Sequence, residues 1–279
     1  MTGHAEVANF HVLRERLRLQ GIIETKTALR IGSGGGGNLD ASELPVLRDA
    51  DGYPLIPGSS LKGVVRSTVE ALVRGAGTPR SESGVWSCDP LSDDLNNGDP
   101  TCGRHSSGKG ARAKAHQQQH CSVCSLFGSR VIASHVRFSD AMLRDAESMK
   151  RAGRIPVEVR DGVAIDRDLR TAQGGQKYDF EVIAPGTLFE LEVFVENPED
   201  WLMGLLIMGF DQVAEGFTAI GGFTSRGLGR VALKWSSLSR YEARALLEGQ
   251  GPKTLDASGM HAEFERWRGA LAARSKGGR

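Results

Sequence analysis

Residues 188–196 read LFELEVFVE, and no other stretch constrains the fold as tightly. Phe189, Leu191, Val193 and Val195 fall on one face of an extended chain. Glu190, Glu192 and Glu196 fall on the other, interrupted only by Phe194. Successive side chains of a strand point to opposite sides, so this segment needs a sheet with one buried face and one mostly wet face. Two helical segments accompany it. In residues 60–74, Leu61, Val64, Val65, Thr68 and Leu72 follow the i, i+3, i+4 spacing of a buried stripe, with Ser59 or Ser60 as the N-cap. Lys62 and Arg66 share a second face of that helix, with Glu70 one turn further. PEDWLMGLLIMGFDQVAEG reads as a buried helix with Pro198 at its start.

The remaining segments fill in an alternation of strands and helices. Residues 12–32 alternate in part, through Leu13, Leu17, Leu19 and Ile22 or Ile23, as an opening strand or a bent hairpin. LPVLRD is a short extended piece and DADGYP a turn. VRFSDAMLRD reads as a strand running into a turn, and residues 162–186 as a long hairpin with a glycine tip. VALKWSSL forms a last strand after a glycine loop. The order is βαββαβ, so the expected class is α+β, with a ferredoxin-like core carrying insertions. An open sheet of that kind is a frequent RNA-binding platform. The terminal HAEFERWRGALAARSKGGR reads as a basic surface helix with a frayed tail.

Residues 75–120 lack this patterning, and all four cysteines lie there or just beyond. Cys121 and Cys124 form a C-x2-C knuckle, with Cys88 and Cys102 upstream. Four cysteines in a stretch without its own core suit a tetrahedral structural zinc site, which would replace the missing core. His105, His116 and His120 are possible substitutes for one thiol, and four ordinary thiols are the plain alternative. No window approaches an uninterrupted apolar run of ~18 residues, so no membrane span is expected. The N-terminal residues have no signal-peptide core, so a cytoplasmic protein is the expectation. A net charge of +1 names no partner, so any RNA contact needs locally gathered cations.

Glycine, at 36 residues, is clustered rather than spread. In GFTSRGLGRV, backbone N–H groups could cradle a phosphate beside Ser225 and Arg226; a tight β turn would need the same glycines. No G-x4-G-K-[ST] loop occurs. Asp40 and Glu43 follow GSGGGG and could hold Mg²⁺ or Mn²⁺; solvated loop acids are the plain reading.

ALRIGSGGGG, LPVLRDADGYPLIPGSSLKGVVRS, CSVCSLFGS, VRFSDA, GVAIDRDLRTA and GGFTSRGLGRV, in this order, resemble the RAMP superfamily of CRISPR effectors, and more narrowly the repeated backbone subunit of type III complexes. The resemblance implies a modified RNA-recognition-like palm (10–74 and 130–240), a zinc-binding insertion (75–129), a thumb hairpin (about 158–184), and a C-terminal helix and tail (241–279). It implies copies stacked with related RAMP subunits and other effector subunits along a CRISPR RNA. Gly58, Ser59 and Ser60 would face the guide backbone, with Lys62 and Arg66 on its phosphates. Ser225 and Arg226 would close on the same strand, and Arg167 would reach RNA from the thumb. In this family a loop aspartate before the PV strand supports metal-dependent cutting of target RNA. That position falls here at Glu43, and Asp40 is the nearest preceding aspartate; the cutting role is expected at Asp40. A scaffold that binds without cutting is the alternative. A metal-free processing nuclease would need a histidine acid or base, with His135 as its candidate.

Overall fold

A single strand, β1 (Glu15–Thr25), runs through the middle of the molecule, so the opening segment is one strand and not a bent hairpin. The computed structural model describes residues 12–33, 44–76, 84–89, 102, 120–130, 132–165 and 172–276. After β1 come α1 (Gly58–Gly75), α2 (Ser122–Phe127), β2 (Val136–Phe138), β3 (Met142–Leu143) and α3 (Ala146–Arg151). A hairpin of β4 (Val157–Ile165) and β5 (Ala172–Ile183) follows, then β6 (Leu188–Glu196), α4 (Asp200–Ala214) and a 3₁₀ turn at Thr224–Arg226. The chain closes with β7 (Val231–Glu242), α5 (Ala243–Leu247), β8 (Lys253–Leu255) and α6 (Ala257–Lys276).

The main sheet runs β2-β6-β1-β7-β8, with β3 also on β6, and the hairpin forms a separate two-stranded sheet. Leaving aside β3, β8 and the hairpin, this is the βαββαβ order 2-3-1-4 of a ferredoxin-like palm, with α1 and α4 as its two crossovers. Every ladder in the main sheet is antiparallel. Leu17 lies opposite Val195, Leu19 opposite Val193 and Ile23 opposite Phe189. All six are at most 2% exposed, which is the burial that the alternation required. Sequestering each such side chain contributes roughly 1.5–3 kcal/mol, so a one-residue slip that turned the set to solvent would be prohibitive.

Three expectations need correction. The buried stripe of α1 is Leu61, Val65, Val69 and Val73; Val64 and Thr68 are half-buried and Leu72 is exposed. The stripe turns because α1 crosses α4, where Val65 and Val69 meet the backbone at Gly209. The C-terminal helix is no surface appendage. Met260, Phe264 and Trp267 of α6 are buried, and rings link it to the palm: Trp267–Phe264 at 5.4 Å, Phe264–Trp235 at 5.9 Å, Trp235–Phe210 at 5.0 Å and Phe210–Phe138 at 5.6 Å. The insertion is not coreless either. Val85, Trp86, Val123, Leu126 and Phe127 join the main hydrophobic core, so the described part of that stretch is continuous with the palm.

Candidate nucleic-acid interface and metal centre

The start of α1 is built by a distant segment. Pro57 is the N-cap, at φ −59° and ψ 137°, and no side chain of the helix caps it. Ser59 and Ser60 therefore lie inside the first turn instead of capping it, because Pro57 presets the entry angle two residues earlier. Gly58 donates its N–H to the Asp140 carboxylate at 2.8 Å, across the loop that follows β2. A Cβ at Gly58 would stand 2.3 Å from the Phe138 carbonyl oxygen, so only glycine lets the helix approach that closely. Part of the Gly-Ser-Ser step thus serves the fold, and Asp140 already answers part of the helix dipole. Ser59 remains exposed.

Lys62 and Arg66 differ sharply. Arg66 donates through Nε to Glu70 Oε1 at 2.8 Å, through one terminal nitrogen to the Gly128 carbonyl at 3.1 Å, and through the other to Cys124 Sγ at 3.5 Å. Desolvation alone would pull its pKa down; the Glu70 hydrogen bond and the nearby sulfurs push it up. Each nitrogen is engaged by the protein itself. Lys62, half-buried, has no hydrogen-bond or ion-pair partner among the described residues. Desolvation first, then Arg66 beside it, lower its ammonium pKa, so an anion arriving here would relieve both.

The cysteines converge. Cys88, Cys102, Cys121 and Cys124 are buried, unbridged by disulfides, and their sulfurs all lie within 4.8 Å of one another. Cys88 Sγ is 3.7 Å from both Cys121 Sγ and Cys124 Sγ. A tetrahedron with metal–sulfur bonds of ~2.3 Å has sulfur–sulfur edges of about 3.8 Å, so the set fits a four-thiolate metal site. Backbone N–H groups already point at two sulfurs: Cys124 N to Cys121 Sγ at 3.2 Å, and Cys121 N to Cys102 Sγ at 3.3 Å. Hydrogen bonds from its neighbours lower the Cys88 and Cys102 thiols, while the same interactions raise Cys121 and Cys124. Four thiolates cannot coexist there without a cation among them. Among the described residues the converging donor group is the four thiols without His120, whose Nε2 meets Ser129 Oγ at 3.2 Å. Arg74 of α1 donates to the Cys88 carbonyl at 3.1 Å, so α1 holds the cysteine group from two turns.

The glycine loop closes as a 3₁₀ turn. Arg226 N donates to Phe223 O at 2.9 Å and Gly227 N to Thr224 O at 3.0 Å, so these amides are not free to cradle a ligand. What the loop offers is side chains, with Ser225 and Arg226 both exposed. Arg226 donates to the Tyr178 hydroxyl of β5 at 2.6 Å, tying the loop to the hairpin base. Tyr178 carried no sequence signal that singled it out.

The open face of the palm neutralises itself. Arg16 pairs with Glu196 at 2.6 Å and Arg18 with Glu192 at 2.5 Å, while Arg137 lies 4.5 Å from the Phe194 ring centre. Arg16, Arg18 and Arg137 are thus already engaged, unlike the arginines of a bare sheet platform. His135 is buried, its Nδ1 is 2.7 Å from the Glu196 carbonyl, and its backbone N–H is held by Leu126 O, so the histidine needed by a metal-free nuclease is committed to the fold. Asp40, Glu43, Arg167, His105 and His116 lie outside the described residues.

Among the described residues no helix is long and apolar enough to cross a membrane. The model of the RAMP superfamily matches residues 22–232. The chain is also similar to the CRISPR system Cms endoribonuclease Csm3 of Methanocaldococcus jannaschii, with 27% identity over 231 residues, covering 80% of each protein.

Proposed function

Because the chain belongs to the RAMP superfamily, we propose that it is a backbone subunit of a type III CRISPR effector, binding CRISPR RNA along a filament and cutting complementary target RNA at regular intervals. The observation that carries this reading is the extent of the family match, which spans residues 22–232 and so takes in α1, the cysteines, the hairpin and the glycine loop. The similarity to a protein named as a CRISPR endoribonuclease supports the cutting activity.

On this reading Lys62, Ser59, Ser225 and Arg226 contact the guide backbone, and base pairing between guide and target does the sequence reading. Gly58 lets α1 approach, and Arg66 acts through α1 and the cysteines instead of on RNA. Arg167 reaches RNA from the hairpin. A zinc ion held by Cys88, Cys102, Cys121 and Cys124 is structural, because four protein ligands leave no open position. Asp40, or Glu43, would hold Mg²⁺ or Mn²⁺, which when bound would supply charge stabilisation at the scissile phosphate. The partners are CRISPR RNA, target RNA, further copies or related RAMP subunits, and the other effector subunits, in the cytoplasm.

The test is cleavage of end-labelled complementary RNA by the reconstituted complex in Mg²⁺ or EDTA, with Asp40→Ala and Glu43→Ala beside the wild type. A regular ladder abolished by Asp40→Ala and by EDTA is expected. Loss only with Glu43→Ala would move the role there. Tightly bound but intact RNA would make the subunit a scaffold.

A further inference from the structure

A second cationic group sits where the glycine loop meets the segment after β1, and the reading above uses only half of it. Leu29 bridges to Ile183 at the end of β5, and the next residue, Arg30, accepts the Gly222 N–H on its carbonyl at 2.8 Å. Gly221 covers that carbonyl at φ +84°, and a Cβ there would stand 2.3 Å from the oxygen, so the loop is zipped onto Arg30 through glycine. The chain then holds Phe223 in the left-handed region at φ 58°, a conformation that aromatic residues seldom adopt.

That backbone places the Phe223 ring between neighbours. The guanidinium carbons of Arg30 and Arg226 each lie 4.8 Å from its centre, and Phe180 meets it edge-on at 5.2 Å. Neither arginine has a carboxylate partner among the described residues, and Arg30 Nε is buried with no hydrogen-bond acceptor. Two guanidiniums on one ring repel each other, and a buried donor without an acceptor carries its desolvation cost uncompensated. An anion with several acceptor oxygens suits such a pair, since the terminal guanidinium nitrogens bind it through paired hydrogen bonds and its charge offsets theirs. Cations interleaved with Phe223, Phe180 and Tyr178 are the pattern of single-strand nucleic-acid sites.

We propose that Arg30, together with Arg226 on Phe223, seats a phosphodiester group of single-stranded RNA. The proposal rests on the RNA-binding reading above and adds a residue to it; guide and target strands share the phosphodiester, and the experiment separates them. Anisotropy of labelled RNA on the purified full chain is followed across a salt series, with guide alone and with guide annealed to its complement. The variants are Arg30→Gln, Arg30→Lys and Arg226→Ala, each also checked by thermal melting. Arg30→Gln is expected to weaken binding about tenfold and to lower the slope of log affinity against log salt by about 0.7, one single-strand phosphate. Arg30→Lys should keep the slope but not the full affinity, since an ammonium cannot fork. Weakening with guide alone assigns the phosphate to the guide; weakening only with the annealed pair assigns it to the target. Wild-type affinity and slope in Arg30→Gln, beside loss in Arg226→Ala, would overturn the proposal and leave the RNA-binding reading standing. A wild-type chain that binds neither RNA would sink both. Should Arg30→Gln fail to fold, Arg30→Lys decides: reduced affinity at unchanged slope supports the seat, and wild-type affinity overturns it.

Discussion

Arg66 and Arg226 look alike in the sequence, each a cation among glycines and serines, yet their surroundings are opposite. Arg66 spends its nitrogens on Glu70, Gly128 and Cys124. Arg226 gives one hydrogen bond to a neutral Tyr178 hydroxyl and lies on an aromatic ring. The first is an internal strut between α1 and the cysteines; the second has no carboxylate partner among the described residues. Cations near a helix start and in a glycine loop thus look equivalent in sequence, and only the donors that the fold leaves unspent distinguish them as candidates for an RNA surface.

The largest test removes the far end of the strut. Cys124→Ser takes away one of the four candidate metal donors and the sulfur that Arg66 meets, whereas chelation by a strong zinc ligand takes away only the ion those thiols would hold. Loss of bound metal by elemental analysis and a fall in Tm of more than ~10 °C by calorimetry are expected, because structural zinc contributes folding energy outright. An unchanged Tm after chelation would mean that the four thiols are ordinary core residues. Next, Arg66→Ala leaves the buried Glu70 carboxylate unpaired. That should cost about 3 kcal/mol, or roughly 6–10 °C in Tm, and Glu70→Gln in the same chain should recover part of it. Arg226→Ala inverts the pattern: RNA affinity falls about fivefold while stability stays within about 0.5 kcal/mol. If Arg66→Ala lost RNA affinity without losing stability, the comparison would collapse.

The smallest test lies at Arg240, which meets Glu15 at 2.6 Å and Glu263 at 2.5 Å. Burial raises the Glu15 carboxyl above its usual 4.5, despite Arg240. Burial works the same way on Glu263, but Arg266 and Arg240 outweigh it and hold that carboxyl below 4.5. Glu263 therefore contributes stability above pH 4.5 that is lost as pH falls through its lower folded value. The Glu15 contribution has the opposite sign: it is full below pH 4.5 and is lost as pH rises through its higher folded value. Glu263→Gln should destabilise the protein at pH 7 by about 1 kcal/mol and cost less at pH 3, whereas Glu15→Gln should stay within about 0.5 kcal/mol at pH 7. Denaturant titrations at the two pH values measure both.

Much of the palm was readable along the chain. The alternation at Phe189, Leu191, Val193 and Val195 holds residue by residue, because strand burial repeats every two positions and needs no knowledge of the partner. The C-x2-C knuckle was equally local. What escaped was supplied through space. Asp140 reaches Gly58 from 82 positions away, and the face of α1 turns toward Val69 and Val73 because of where α4 crosses it. Arg30 stood inside a segment that carried the family resemblance, but nothing in its neighbours showed that Phe223 would meet it. The buried stripe of α6, Met260, Phe264 and Trp267, has helical spacing, yet the charges around it suggest a surface helix. Side chains whose partners are distant in sequence are the ones that local patterns misassign.

The central place of β1 has a consequence for how the protein is made. Its ladder partners are β6 and β7, and Glu196 emerges from the ribosome 180 residues after Arg16. At ~5–20 residues per second, β1 waits roughly 10–40 s with both hydrogen-bonding edges unsatisfied. The palm cannot close progressively from the N-terminus; it must assemble late, around a strand already synthesised, with the slow kinetics of distant pairing. A nascent chain in that interval is open to chaperones and to other strands, so the yield of native subunit should depend on translation speed and temperature more than its final stability suggests.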